Sequence, residues 1–154
     1  MTSTLDAVRD ASTLIKEQAP ACESGRRLSE EVVAAIREAG VFRMAMSHAL
    51  GGPELTPLEQ VEVLEELSAA DGSAGWCGMI NSDGGHMTSD LDPAVAKELY
   101  PSLDLATSGI GMPQGHAQVD GDGYVVNGRW AFASGPLCSA LLICRGWVTS
   151  RPGA

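Results

Sequence analysis

Residues 123–135 read Gly-Tyr-Val-Val-Asn-Gly-Arg-Trp-Ala-Phe-Ala-Ser-Gly. Two short β patterns meet at Asn127-Gly128, a pair that favours a two-residue hairpin turn because both central positions tolerate positive φ. In the second pattern Trp130, Phe132 and Ser134 alternate with Arg129, Ala131 and Ala133, so a strand would send the first three to one face. That face would offer a flat ring ligand two aromatic walls and one hydroxyl.

Upstream of residue 100 the pattern is helical. Leu5, Val8, Ser12 and Ile15 recur at helical spacing and predict a helix over residues 4–18, followed by Pro20. Ser29 is placed to cap a second helix with Leu28 and Val33 as a hydrophobic staple, a stripe of Val32, Val33, Ile36 and Ala39, and Gly40 as its stop. Thr56-Pro57-Leu58-Glu59 combines an N-cap, a proline where its missing N–H costs nothing, and a capping-box glutamate. Leu58, Val61, Leu64 and Leu67 are the predicted buried face of that third helix. Asp71-Gly72-Ser73 breaks and restarts the chain into a helix through Trp76, Met79 and Ile80, and Asp92-Pro93 starts a short helix ending near Tyr100. From Leu103 onward β runs alternate with turn signals at Pro113-Gln114-Gly115, Asp120-Gly121-Asp122-Gly123 and Asn127-Gly128. A further strand is expected over Ala140 to Val148, followed by a polar end from Thr149 to Ala154. The run Ala140–Cys144 would be an aggregation hazard if nothing paired with it. The expected division is an α-helical domain over residues 1–102 and a β domain over residues 103–154.

The order of these segments carries a resemblance. Asn-Gly followed by an aromatic and a hydroxyl residue at Phe132 and Ser134 resembles the flavin-contacting strand of the acyl-CoA dehydrogenase superfamily. Leu28–Arg43, the glycine pair Gly51-Gly52, Leu64–Trp76 and Met112–Ala117 are similar, in order, to that family's second helix, its glycine pair, its central helix and its first flavin-approaching β segment. The resemblance runs from Leu28 to Val148. It implies an α+β fold: an N-terminal helical domain of acyl-CoA dehydrogenase type, then part of an antiparallel β domain. The C-terminal four-helix bundle that completes the family's pocket, supplies its catalytic glutamate and drives tetramer formation would be absent.

By the same resemblance Trp130, Phe132, Ser134, Met112 and Gly115 are the expected cofactor-binding residues. Phe132 would pack on the isoalloxazine and Ser134 would bond near flavin N5, while Trp76 and His86 are substrate-pocket candidates. Pro113-x-Gly115-x-Ala117 followed by an Asp-Gly turn is closer to the superfamily's reduced-flavin-dependent hydroxylases than to its dehydrogenases. That branch implies FAD or FMN as reduced flavin, an oxygen atom transferred to an aromatic substrate, and a flavin reductase partner. The alternatives are α,β-dehydrogenation of acyl-CoA thioesters and, in another class, a non-catalytic truncated remnant or helical interaction module.

Composition limits the setting. Ten Lys and Arg against twenty Asp and Glu give a formal net charge of −10, which disfavours nucleic acid and anionic membranes as partners. No export signal or bilayer-length apolar run is seen, so a cytoplasmic location is expected. Cys22, Cys77, Cys138 and Cys144 lack disulfide or zinc spacing and are read as small buried hydrophobes. His48, His86 and His116 have no metal-ligand spacing. Gly109-Ile110-Gly111 lacks the rest of a dinucleotide fingerprint, and neither a Walker A sequence nor a Gly-x-Ser-x-Gly elbow occurs.

Overall fold

The computed structural model describes residues 2–149. Six α-helices come first: α1 (Thr4–Gly25), α2 (Glu30–Glu38), α3 (Pro57–Ala70), α4 (Gly72–Asn81), α5 (Gly84–Thr88) and α6 (Pro93–Leu99). Short 3₁₀ turns at Val41–Arg43 and His48–Leu50 lie between α2 and α3. Five strands follow: β1 (Thr107–Gly109), β2 (Gly115–Asp120), β3 (Gly123–Gly128), β4 (Leu141–Ile143) and β5 (Gly146–Thr149). Most of the polar end expected after Val148, from Ser150 on, lies outside the described residues.

The local start signals act as their chemistry dictates. Ser29 Oγ accepts from the Val32 N–H, and Gly40 turns the chain at φ 83°. At α3 the Thr56 hydroxyl accepts from the Glu59 N–H while the Glu59 carboxylate accepts from the Thr56 N–H at 2.7 Å, closing the capping box. The Thr56 hydroxyl also donates to the Glu59 carboxylate at 2.7 Å, and this bond, followed by the one from the Thr56 N–H, holds the carboxyl below its ordinary range. Thr56→Ala should lower stability by about 1 kcal/mol, read as a shift in a urea midpoint at constant slope. Asp71 serves two helices at once, ending α3 through its N–H and capping α4 through its carboxylate.

Two helical expectations change. The first helix runs on through Pro20 to Gly25, because Cys22 is buried in the core and its carbonyl accepts the closing Arg27 N–H. On α3 the buried side chains are Val63 and Leu67, whereas Leu58 is 68% exposed and Val61 also faces out. A helix turns about 100° per residue. A set spaced by three therefore lags steadily, and over nine residues Leu58 ends on the side opposite Leu67. The core gathers Val8 and Ile15 of α1, Val32 and Ile36 of α2, Phe42 after it, and Val63 and Leu67 of α3.

The β region is mixed rather than purely antiparallel. β2 and β3 pair antiparallel, but β5 joins β2 in parallel and β4 joins β1 in parallel. The expected strand over Ala140 to Val148 is two strands in two sheets. The chain divides at Arg145, whose carbonyl takes the N–H groups of Gln114 and Gly115. The run Ala140–Cys144 is paired in part, through β4 against β1.

The hairpin turn is also relocated. Asp120 pairs with Gly123 across Gly121-Asp122, with Gly121 at φ 63°, while Asn127 and Gly128 are the last rungs, opposite His116 and Gly115. Gly121 opens the two-residue loop in the way a glycine-first turn does. Among the described residues no helix is long and apolar enough to cross a membrane.

Candidate functional site

After Gly128 the chain leaves the sheet. Residues 129–135 are not a strand, and Phe132 sits at φ 67°. The strict alternation expected for Trp130, Phe132 and Ser134 is therefore absent. Non-local bonds set the path instead. The Trp130 indole N–H donates to the Arg145 carbonyl at 2.7 Å, and its ring closes over Gly115 and Gly128, where a Cβ would collide with it. The Ala131 N–H donates to Gln114 Oε1 at 2.8 Å. Ser134 is gripped twice: its hydroxyl oxygen accepts from the Trp76 indole at 2.9 Å, and its carbonyl accepts from the buried Ser108 hydroxyl at 2.7 Å.

Gly135, at φ 68°, lies against Asn81, where a side chain would collide with the amide. Asn81 is fully buried at the end of α4, donates to the Cys77 carbonyl and accepts from the Ser139 hydroxyl. Asn81 and Ser108 are site-building residues that the sequence reading passed over. A polar residue one turn after Cys77 on an apolar helix was the available signal for Asn81; Ser108 offered none.

The outcome is a cleft of about 380 Å³ lined by Gly109, Trp130, Phe132, Ala133, Leu142 and Ile143. The Phe132 ring is 92% exposed beside it. Because Ser134 Oγ already accepts from Trp76, its own O–H is left to donate to a ligand. Trp76 is 55% exposed: its N–H is committed to Ser134 and its ring faces outward from α4.

On the other side of Gly109, Ile110 and Ile143 lies a smaller cleft of about 190 Å³, also lined by Asp83, Met87 and Ser108. Burial pushes the Asp83 carboxyl above its ordinary range, with the nearby His86 opposing the shift. His86 itself is exposed on α5 and does not line this cleft, and Met112 is exposed on the bend before β2. Gly115 is buried at the start of β2, with Trp130 across its open side.

The cysteines divide. Cys22 is buried, Cys77 and Cys138 are half-buried and Cys144 is exposed, so the buried reading fails for Cys144. Burial pushes the Cys77 thiol up to about 11, which keeps it protonated and unreactive at neutral pH. Among the described residues no group of three or more His, Cys, Asp or Glu is placed to hold a metal ion.

The chain is similar to several known proteins. Over 124 residues the chain is 34% identical to an indole-3-acetate monooxygenase of Acinetobacter baumannii, covering 79% of this chain and 32% of that protein. It is 32% identical over 142 residues to the oxygenase component of an FADH₂-dependent resorcinol hydroxylase of a Rhizobium species, covering 88% and 35%. The crystal structure of the HsaA monooxygenase from M. tuberculosis superposes with a TM-score of 0.89 at 27% identity, covering 97% of this chain and 39% of that one. The chain thus spans about a third of the length of the curated relatives it matches. A family model described as the acyl-CoA dehydrogenase N-terminal domain matches residues 3–89, more than half of the sequence. The helical half just described, followed by its small sheets, belongs to the acyl-CoA dehydrogenase family.

Proposed function

We propose that this chain forms one wall of a reduced-flavin site in an oxygenase component that inserts oxygen into an aromatic substrate. The observation that carries the reading is Ser134, held by Trp76 and Ser108 with its hydroxyl proton free, next to the exposed Phe132 ring. A flat, hydrogen-bond-accepting ring system fits such a donor set: Phe132 supplies a face for stacking, and Ser134 a directed O–H. Relatives named as an indole-3-acetate monooxygenase and an FADH₂-dependent resorcinol hydroxylase support the oxygenase branch over dehydrogenation of thioesters. Both names also support an aromatic substrate, and an oxygenase component implies a separate reductase as partner.

Reduced FAD or FMN supplies the electrons with which oxygen is activated. The residues of this chain bind and orient. Phe132 covers one ring face, Ser134 donates to the ring, and the indole of Trp130 is fixed by Arg145 as a rigid side of the cleft. Trp76 is a positioning residue, since its N–H occupies the Ser134 lone pair and aims the hydroxyl proton away from α4. The cleft beside Asp83 and Met87 adjoins this wall through Gly109 and Ile110 and is the space for the substrate.

A double-mutant cycle tests the arrangement. Ser134→Ala should weaken reduced FMN binding by about three- to tenfold, the worth of one net hydrogen bond. Trp76→Phe should weaken it by a similar or smaller factor. The double variant should bind no worse than Ser134→Ala alone, because Trp76 acts through that hydroxyl. Unchanged affinity in Ser134→Ala, measured by anaerobic titration of the folded variant, would remove the proposed role. Additive losses would remove the positioning role of Trp76.

A further inference from the structure

Basic residues are scarce in this chain, ten against twenty acidic ones. Three of them nevertheless line one cavity of about 490 Å³, formed by the α1–α2 turn, α2, Cys77 of α4 and the loop after Ser134. Arg26, Arg27 and Arg37 face it together with a single carboxylate, Glu30. Among the described residues none of these three arginines is in an ion pair, whereas Arg9 and Arg43 are. Leu28, Val33 and Leu137 give the same cavity an apolar wall.

The backbone presents these cations in a way the fold alone does not require. α1 ends at Gly25, yet the left-handed position that closes it, at φ 53°, is occupied by Arg26. Glycine is the usual residue there because a Cβ is strained in that conformation. The Arg26 N–H bonds the Glu23 carbonyl and the Arg27 N–H the Cys22 carbonyl, both at 3.1 Å, so the two arginines leave a closed turn rather than a loose loop. On α2 the Arg37 guanidinium stands 5.7 Å from the centre of the Phe42 ring. A second cavity shares Arg26, Arg27 and Leu28 and adds Lys16, but it also adds Glu23 and Asp71. The excess of positive charge is thus concentrated between Arg26 and Arg37.

We propose that the Arg26–Arg27–Arg37 cavity binds a small organic oxyanion, an apolar body carrying a phosphate or carboxylate group. Guanidinium groups pair with both oxyanions through forked N–H donors, and the Leu28, Val33 and Leu137 wall takes the apolar body. The site does not rest on the flavin reading. It is separated from the Phe132 cleft by the loop Gly135–Cys138, and Pro136 borders both.

The test is calorimetric titration of the 154-residue chain with phenyl phosphate and with benzoate at low salt, neither of which carries a flavin ring. One-to-one binding of at least one anion is expected, weakening as salt is raised. Tighter phenyl phosphate assigns the site to a phosphate ester and tighter benzoate to a carboxylate. Arg26→Gly separates binding from folding: affinity should fall by about tenfold or more, while the thermal midpoint stays level or rises, since glycine relieves the left-handed strain. Arg37→Gln should also weaken binding, with the fold followed by circular dichroism. Saturable binding of neither anion would overturn the proposal, as would binding undiminished in Arg26→Gly.

Discussion

Phe42→Ala is expected to cost about 3–5 kcal/mol, the range for deleting a fully enclosed aromatic side chain. Phe42 is 2% exposed and heads the largest fully buried side chains. It sits in the 3₁₀ turn Val41–Arg43, directly after α2, where the chain crosses beneath α4 and α5. Its neighbours Val41, Met44 and Met46 are themselves fully buried and tied to the turn by backbone bonds, so they cannot collapse far into the vacated volume. The variant also loses the ring beneath Arg37. Domains of this size have only about 5–15 kcal/mol of stability in total. A large fraction would therefore disappear, visible as a fall in urea midpoint at an unchanged slope. A loss below about 1 kcal/mol, a value ordinary for surface changes, would show that Phe42 is not the centre of this core.

The second large effect is at Gly85. A Cβ built there would overlap the carbonyl and Cβ of Ala45, so α5 and the segment after Arg43 approach more closely than any side chain allows. Backbone cannot swing aside as the end of a flexible side chain can. Gly85→Val should therefore cost about 3 kcal/mol, at the upper end of overpacking penalties. It should also displace α5 with its neighbour Gly84, which is pressed against Tyr100 and Thr107. Gly72→Ala is the control, because nothing lies within 4 Å of the added Cβ and α4 starts there. That change should be neutral or slightly stabilising. Equal thermal midpoints for the two variants would refute the close-approach argument.

The helix starts were legible because their signals are local. Ser29, Thr56-Pro57-Glu59 and Asp92-Pro93 each satisfy the first N–H groups of a helix within three residues, and the structure realises all three. The face of α3 was misread because a spacing of three imitates an amphipathic stripe for a turn or two and then rotates away from it. Pro20 was read as an end because its cost is local, whereas what carries α1 onward is the burial of Cys22.

The segment after Gly128 is the sharper case. Two turn signals stand close together, and Gly121-Asp122 takes the hairpin. The course of residues 129–135 is then decided by partners 15 to 58 residues distant, at Arg145, Gln114, Ser108 and Trp76. No periodicity in a short window contains that information. The order of motifs along the chain pointed instead to the family, whose model matches residues 3–89. It also singled out Trp76 and Ser134, which the fold places in direct contact, without indicating that they touch.

The measurement closest to the central claim is anaerobic titration of the 154-residue chain with reduced FMN and reduced FAD. Quenching of tryptophan fluorescence reports binding, since Trp76 and Trp130 both stand at the proposed wall. Near-ultraviolet circular dichroism confirms the fold in the same samples. Saturable one-to-one binding of at least one reduced flavin is expected, weakened when Phe132 is replaced by alanine. A folded chain that quenches only linearly with both flavins, showing no saturation and no dependence on Phe132, would contradict that claim.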